Sequence, residues 1–308
     1  MKIYTITLNP AYDVHAYMPH FAPFHENLAQ ITSRDAGGKG VNLSRALTSG
    51  GAENTAVVVL GKENAAEFKD SLAEFGQTCL YFEKEGRIRE NLTLHCDDSP
   101  ETRISFSGFS VDDSILDEIL SAMVVDSDTL VTFTGRVSGG ISMTAVKDFL
   151  TKLRQKGAKI VLDSKSFSLA DIYEVQPWLI KPNQEEISEY FDCEVETIAQ
   201  ALEKAKVFAQ HGVTNAMISL GEQGALLVSD GLAITAKAPA IQAVSTVGAG
   251  DSSIAGFMVA FTQGGAPAQC LATAVAYGSA ACMSEGSQPP RQEDVQRLLA
   301  DICVRTVG

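Results

Sequence analysis

Two kinds of apolar pattern run along this chain, and they predict two kinds of sheet. Segments 2–8, 55–60, 78–82, 129–134, 159–163, 178–181 and 215–220 are short, mostly apolar and rich in β-branched residues. They read as strands, and 55–60 as one buried on both faces. Among them lie stretches with apolar residues at helical spacing, at 65–75, 112–123, 142–156, 184–191 and 198–211. Alternation of strand and helix predicts a parallel sheet with helices on both faces, and ligands collect at the carboxyl ends of such strands. Segments 12–17, 28–35, 91–96 and 102–106 instead alternate polar with apolar, outside the strand–helix rhythm. The turn Asp97-Asp98-Ser99-Pro100 makes the last two a hairpin. They predict a small separate sheet, from about 11–35 and 86–108, inserted in one α/β domain. Its uncovered face would be covered by pairing with a second copy of the chain. Two helices, 266–283 and 291–304, close the chain, with no internal repeat or interdomain linker.

The stretch that organises the rest is 244–261, Val-Ser-Thr-Val-Gly-Ala-Gly-Asp followed by a helix of small apolar residues. Gly248 and Gly250 let the backbone turn its N–H groups toward one point, and the helix aims its positive end there. Asp251 has two readings. It favours the helix dipole from the first turn, or it accepts a proton from a hydroxyl lying before the amides of Gly248, Ala249 and Gly250. A second glycine-rich turn, Gly37-Gly38-Lys39-Gly40, precedes the predicted helix 41–48. It reads as a flexible turn, or as a close-approach loop where Lys39 brings charge and Asn42 an amide. Neither it nor Gly61-Lys62 has the spacing of a Walker A loop.

Charge narrows the partners. The chain has 308 residues and a formal net charge of −14, which opposes encounter with nucleic acid or an anionic membrane. A phosphorylated substrate would need local positive charge, for which Lys39, Arg87, Arg89 and Arg103 are candidates. Six cysteines without C-x-x-C spacing imply buried thiols in a reducing cytosol. No signal-like segment opens the sequence, and no apolar run reaches the ~18 residues of a membrane span. A soluble, cytoplasmic protein is expected.

Ser245-Thr246-Val247-Gly248-Ala249-Gly250-Asp251-Ser252 resembles the C-terminal signature of the ribokinase-like sugar kinases, the PfkB family, and Gly37-Gly38-Lys39-Gly40-Val41-Asn42 resembles the N-terminal one. Matches run between them over nearly the whole chain, nearest to the 1-phosphofructokinase and tagatose-6-phosphate kinase branches. The resemblance implies a ribokinase-like α/β fold whose small sheet is a lid and often a homodimer clasp. It implies ATP and Mg²⁺ as cofactors, and a ketohexose phosphate as substrate. Fructose 1-phosphate comes first; tagatose 6-phosphate, fructose 6-phosphate or a non-catalytic sensor role are alternatives. Asp251 becomes the base and Gly248–Gly250 the anion hole. Asp13, a turn residue or a sugar ligand on its own, becomes a ligand beside Gly37, Gly38, Lys39 and Asn42. Arg89 and Arg103 lie in family-like segments and suit a phosphate anchor.

Lys181-Pro182-Asn183-Gln184-Glu185-Glu186 resembles the family's N-x-x-E element, in which Asn183 and Glu186 organise Mg²⁺ beside the nucleotide, with Lys181 a further cofactor-binding candidate. An isolated N-x-x-E reads as a helix N-terminus with ordinary surface acids, but after a strand ending in Lys-Pro the site is the preferred reading. Ser219, Gly221 and Gly224 fall where the family follows nucleotide phosphates and ribose, and Ser284 where it borders the adenine. Two segments depart from the family. Thr134-Gly135-Arg136-Val137-Ser138 replaces a serine near the sugar by Arg136, and Asp163-Ser164-Lys165 adds a second cation. Arg136 is therefore a further candidate for the substrate's anionic end.

Overall fold

The computed structural model describes residues 1–284 and 286–307. Ten of its strands form one sheet. In chain order these are β1 (Lys2–Thr7), β4 (Thr55–Gly61), β5 (Thr78–Lys84), β8 (Thr129–Thr134), β9 (Lys159–Asp163), β10 (Leu179–Ile180), β11 (Asn215–Ser219), β12 (Ala225–Ser229), β13 (Leu232–Ala236) and β14 (Val304–Thr306). Their order across the sheet is β14-β13-β12-β11-β10-β9-β8-β1-β4-β5. The seven from β11 to β5 run parallel, and β12, β13 and β14 are added antiparallel.

Two hydrophobic clusters cover the two faces. On one face lie α2 (Ala65–Glu74), α3 (Ser114–Ala122), α4 (Met143–Gln155), α5 (Leu169–Val175), α6 (Gln184–Phe191) and α7 (Ile198–Gln210). On the other lie α1 (Lys39–Ser49), α8 (Ala249–Thr262), α9 (Pro267–Ala281) and α10 (Gln292–Leu299). Helix α8 is apolar nearly all round because it packs between α1 and α9. Gly256 permits that approach, since a Cβ there would stand 2.6 Å from the Thr273 carbonyl oxygen. Among the described residues no helix is long and apolar enough to cross a membrane.

The mostly parallel sheet, its helical layers and the separate small sheet follow the polarity pattern. The chain's last segments do not. The expected helix at 291–304 stops at Leu299, and Val304–Thr306 turns back as an edge strand on β13. The strand β13 and the helix α5 are also not among the expected elements; seven residues are too few for α5 to show a helical period.

The small sheet has the order β3 (Gln30–Gly37), β2 (Ala11–Tyr17), β6 (Arg89–His95), β7 (Thr102–Ser105). Its two faces differ. Asp13, His15, Asn91 and Thr93 share one, by the register Asp13↔Asn91 and His15↔Thr93. Val14, Ala16, Leu92, Leu94, Ile31 and Ile104 share the other. On that second face Ile31 and Ile104 are exposed, as are Phe106 just after β7 and Phe24 and Leu28 in the β2–β3 connection.

Helix α1 is tied to β3 and α2 by Arg45, one of the largest fully buried side chains. Its Nη1 donates to the Ala36 carbonyl at 2.7 Å, its Nη2 to Ser71 Oγ at 3.2 Å, and the guanidinium lies 4.3 Å over the Phe75 ring. The bond to Ala36 holds the turn that leads into Gly37 and Lys39. Replacing Arg45 by methionine strips a buried carbonyl of its donor and should cost about 2–3 kcal/mol, read from the urea midpoint.

Candidate active site

The sheet register lays the floor of the site. Thr134 ends β8 beside Asp163, which ends β9, and Lys181 follows β10 on the far side of Asp163. All three point to the face covered by α1 and α8. Asp163 is buried, and its Oδ2 accepts from Lys39 Nζ at 2.9 Å. Lys181 Nζ stands 3.9 Å from its Oδ1. Burial alone would raise the pKa of Asp163, but Lys181 and Lys39 outweigh it and hold the carboxyl below its ordinary value. Burial works against the charge of Lys39 too, yet Asp163 and Asp251 keep its pKa above the usual lysine value.

Asp251 is the third residue of α8, and the helix is capped by Gly248 in the left-handed region at φ 76. It is buried, and the Asn42 amide donates to its Oδ2 at 3.5 Å. Burial is the main cause that lifts its pKa to about 7, with Asp163 adding and Lys39, Lys181 and Asn42 opposing. A carboxylate of this kind matches a proton acceptor at neutral pH. In the first turn of α8 the Ala249 N–H donates to the Thr246 carbonyl at 3.4 Å, while the Gly250 and Asp251 N–H groups lack the partners that interior helix positions have and can face an anion. Lys181 lies beneath that turn, 3.2 Å from where a Cβ on Gly250 would sit. The two glycine-rich segments, far apart in sequence, thus meet over Asp163.

The small sheet supplies the opposite wall. Asp13 Oδ1 accepts from Asn91 Nδ2 at 2.9 Å, and its Oδ2 rests where a Cβ on Gly37 would be, so that position has room only for glycine. Burial pushes Asp13 above its usual pKa, against the pull of Asn91, His15 and Arg89. Arg89 Nη1 donates to Asn91 Oδ1 at 2.9 Å, while its buried Nε has no partner. Burial lowers the pKa of Arg89; Asp13 opposes this and the nearby Arg136 adds to it. Two guanidiniums so placed favour a bound anion. Arg103 stands apart on β7, half exposed and paired through Nε to Glu101 Oε1 at 2.5 Å.

On the third side Asn183 and Glu186 form a capping box for α6. Asn183 Oδ1 accepts from the Glu186 N–H at 2.8 Å, and Glu186 Oε2 from the Asn183 N–H at 3.0 Å. Asn183 is bridged to Ser219 at the end of β11. Gly221 opens the following 3-10 turn at φ 57. Gly224 is needed by packing, since a Cβ there would lie 1.9 Å from the Ala236 carbonyl oxygen of β13. Ser284 follows the end of α9, its N–H bonded to the Ala281 carbonyl.

Two residues without an assigned role in the sequence belong to this site. Asp163 is its electrostatic centre; the signal was a single carboxylate closing the apolar run Lys-Ile-Val-Leu-Asp. Asn9, just after β1, has a buried Oδ1 with no partner, 2.5 Å from where a Cβ on Gly108 would be.

A family model described as pfkB family carbohydrate kinase matches residues 9–294. The chain belongs to the pfkB family of carbohydrate kinases. Among relatives, the 1-phosphofructokinase of Escherichia coli K12 is 32% identical over 259 residues, 83% of each chain. That of Bacillus subtilis strain 168 is 28% identical over 303 residues, 98% of this chain and 99% of that one. The crystal structure of phosphofructokinase-2 from Escherichia coli in complex with substrates and products superposes with a TM-score of 0.89 at 24% identity, covering 98% of this chain and 99% of that one. As a pfkB kinase the protein is a phosphotransferase, with ATP as phosphate donor and a carbohydrate as acceptor.

The raised pKa of Asp251 has a stability cost with a definite sign. A carboxyl that titrates near 7 when folded and near 4 when unfolded destabilises the fold above pH 7, and the cost recedes as pH falls toward 4. Asp251→Asn should therefore melt higher than the parent at pH 8, and the gap should close toward pH 4 in thermal scans.

Proposed function

We propose that this pfkB kinase phosphorylates fructose 1-phosphate to fructose 1,6-bisphosphate by direct in-line transfer from MgATP. The observation that carries the reading is Asp251, a carboxylate poised near neutrality behind the amides of α8 and across from Lys39. Asp251 accepts the proton of the attacking sugar hydroxyl. The N–H groups around Gly248, Ala249 and Gly250 hold the charge of the moving phosphoryl group, with Lys39 alongside. Lys181 and Asp163 keep these groups in place from below. Asp13 and Asn42 orient the sugar hydroxyls. Arg89 and Arg136 take the phosphate already on the sugar, since an anion between them relieves their mutual repulsion. The names of the relatives support a fructose 1-phosphate acceptor.

Among the described residues no group of three or more His, Cys, Asp or Glu side chains is arranged to hold a metal. Magnesium suits such a site, because it keeps several waters and needs few carboxylates. Glu186 Oε1, the oxygen not used by the helix cap, and Asn183 would face its water shell beside the donor's phosphates, which would run along Ser219, Gly221 and Gly224, with the adenine toward Ser284. Bound there, the ion would neutralise phosphate charge. The small sheet acts as a lid that excludes water from the transfer.

Its apolar outer face pairs with a second copy. A homodimer would bury the exposed Phe24, Leu28, Ile31, Ile104 and Phe106. Ile31→Asp with Ile104→Asp should convert a dimer to a monomer in sedimentation velocity; a wild-type monomer at micromolar concentration would refute the pairing.

ATP turnover should be fastest with fructose 1-phosphate among fructose 1-phosphate, fructose 6-phosphate, tagatose 6-phosphate and free fructose. No turnover with any of them would overturn the reading. Asp251→Asn should lower kcat by about 10²–10⁴. In the parent, kcat/KM should fall as pH drops below about 7, because the base is then protonated.

A further inference from the structure

The segment after β9 reads Asp163-Ser164-Lys165-Ser166. Lys165 has no role in the transfer described above, yet its ammonium is held in an unusual way. It stands 3.9 Å from Glu185 Oε2 and 3.9 Å from Glu186 Oε1, with its side chain 45% exposed. Both separations are longer than a hydrogen-bonded ion pair, and exposed pairs of this kind bind weakly. Glu186 Oε2 is occupied by the helix cap, so Lys165 shares the one oxygen of that carboxylate left over. Lys165 also lies in the field of Asp163, helping with Lys181 and Lys39 to keep it ionised.

A cation shared loosely by two carboxylates at the first turn of α6 is one that a polyanion can take away. Phosphate oxygens at hydrogen-bond distance hold an ammonium more tightly than carboxylates at 3.9 Å. The sugar phosphate has its own pair of guanidiniums, Arg89 and Arg136, on the far wall beside Asp13. Lys165 stands instead at the first turn of α6, where the donor phosphates are proposed to lie.

We propose that Lys165 binds the phosphates of the nucleoside triphosphate donor, leaving Glu185 and Glu186 when the donor arrives. The exchange frees Glu186 Oε1 for the water shell of the metal that accompanies the triphosphate. One lysine thereby makes donor binding and exposure of the metal-facing carboxylate a single event. This rests on the donor site proposed above.

Binding of ATP by isothermal titration calorimetry tests it without turnover. In EDTA, Lys165→Met should bind ATP about ten-fold more weakly than the parent, the loss expected for a charge-assisted contact. Lys165→Arg should restore most of that affinity. With saturating Mg²⁺ the deficit should shrink, because the metal neutralises the same oxygens. Fructose 1-phosphate affinity should not change. A purely structural ion pair would lower the melting temperature of Lys165→Met and leave ATP affinity as it was, and that result overturns the assignment. A wild-type chain that binds no ATP with or without Mg²⁺ overturns the donor reading and the assignment with it.

Discussion

Asp163, with Lys39 at 2.9 Å on one side and Lys181 at 3.9 Å on the other, is a buried charge that the fold has to satisfy from two separate segments. An ionised carboxylate taken out of water costs several kcal/mol unless cations meet it. Here the cations come from the first residue of α1 and from the end of β10. Meeting that demand places the Lys39 turn over the carboxyl ends of β8 and β9, and sets Lys181 beneath the glycine turn of α8. The geometry of the site follows from neutralising one aspartate.

The same cluster explains why two neighbouring aspartates behave in opposite ways. Asp163 lies directly between the lysines and is held ionised below its ordinary pKa. Asp251 is equally buried, has one long amide contact, and feels Asp163 as a like charge, so it is lifted to about 7. Environments that push two carboxyls apart leave one permanently charged and the other able to exchange a proton near neutral pH. The small sheet divides its labour similarly. Alternation along β2 puts Asp13 and His15 on the face toward the cleft, and Val14 and Ala16 on the face that carries the exposed Ile31 and Ile104.

Much of this was legible in the chain. Unbroken apolar runs marked the central strands, and half-polar runs marked the small sheet, because burial on two faces or one leaves a different period. The glycine turns before α1 and α8 were visible because few other residues allow such close backbone approach. Less visible were interactions without a local pattern. Arg45 sits in a helix where any arginine would be read as exposed, yet it is buried against Ala36 and Phe75. Gly224, set along the nucleotide by the resemblance, also meets a packing demand that no local pattern shows, since its missing side chain lets β13 pass. The strand at 304–306, at the end of the expected helix 291–304, is unmarked because three residues show no period and their partner, β13, is remote in sequence.

The sequence by itself determined the strand–helix rhythm, the existence of a second sheet, and the two glycine-rich turns that hold Lys39 and Asp251. These depend on hydrophobic period and backbone freedom, which are properties of neighbouring residues. Only the tertiary structure decided that Asp163 is the hub, that Lys181 supports the turn from below, that Arg103 is already matched by Glu101, and that Lys165 is shared by two glutamates. Charge pairing and desolvation depend on distances between segments far apart along the chain, and no local pattern encodes those distances.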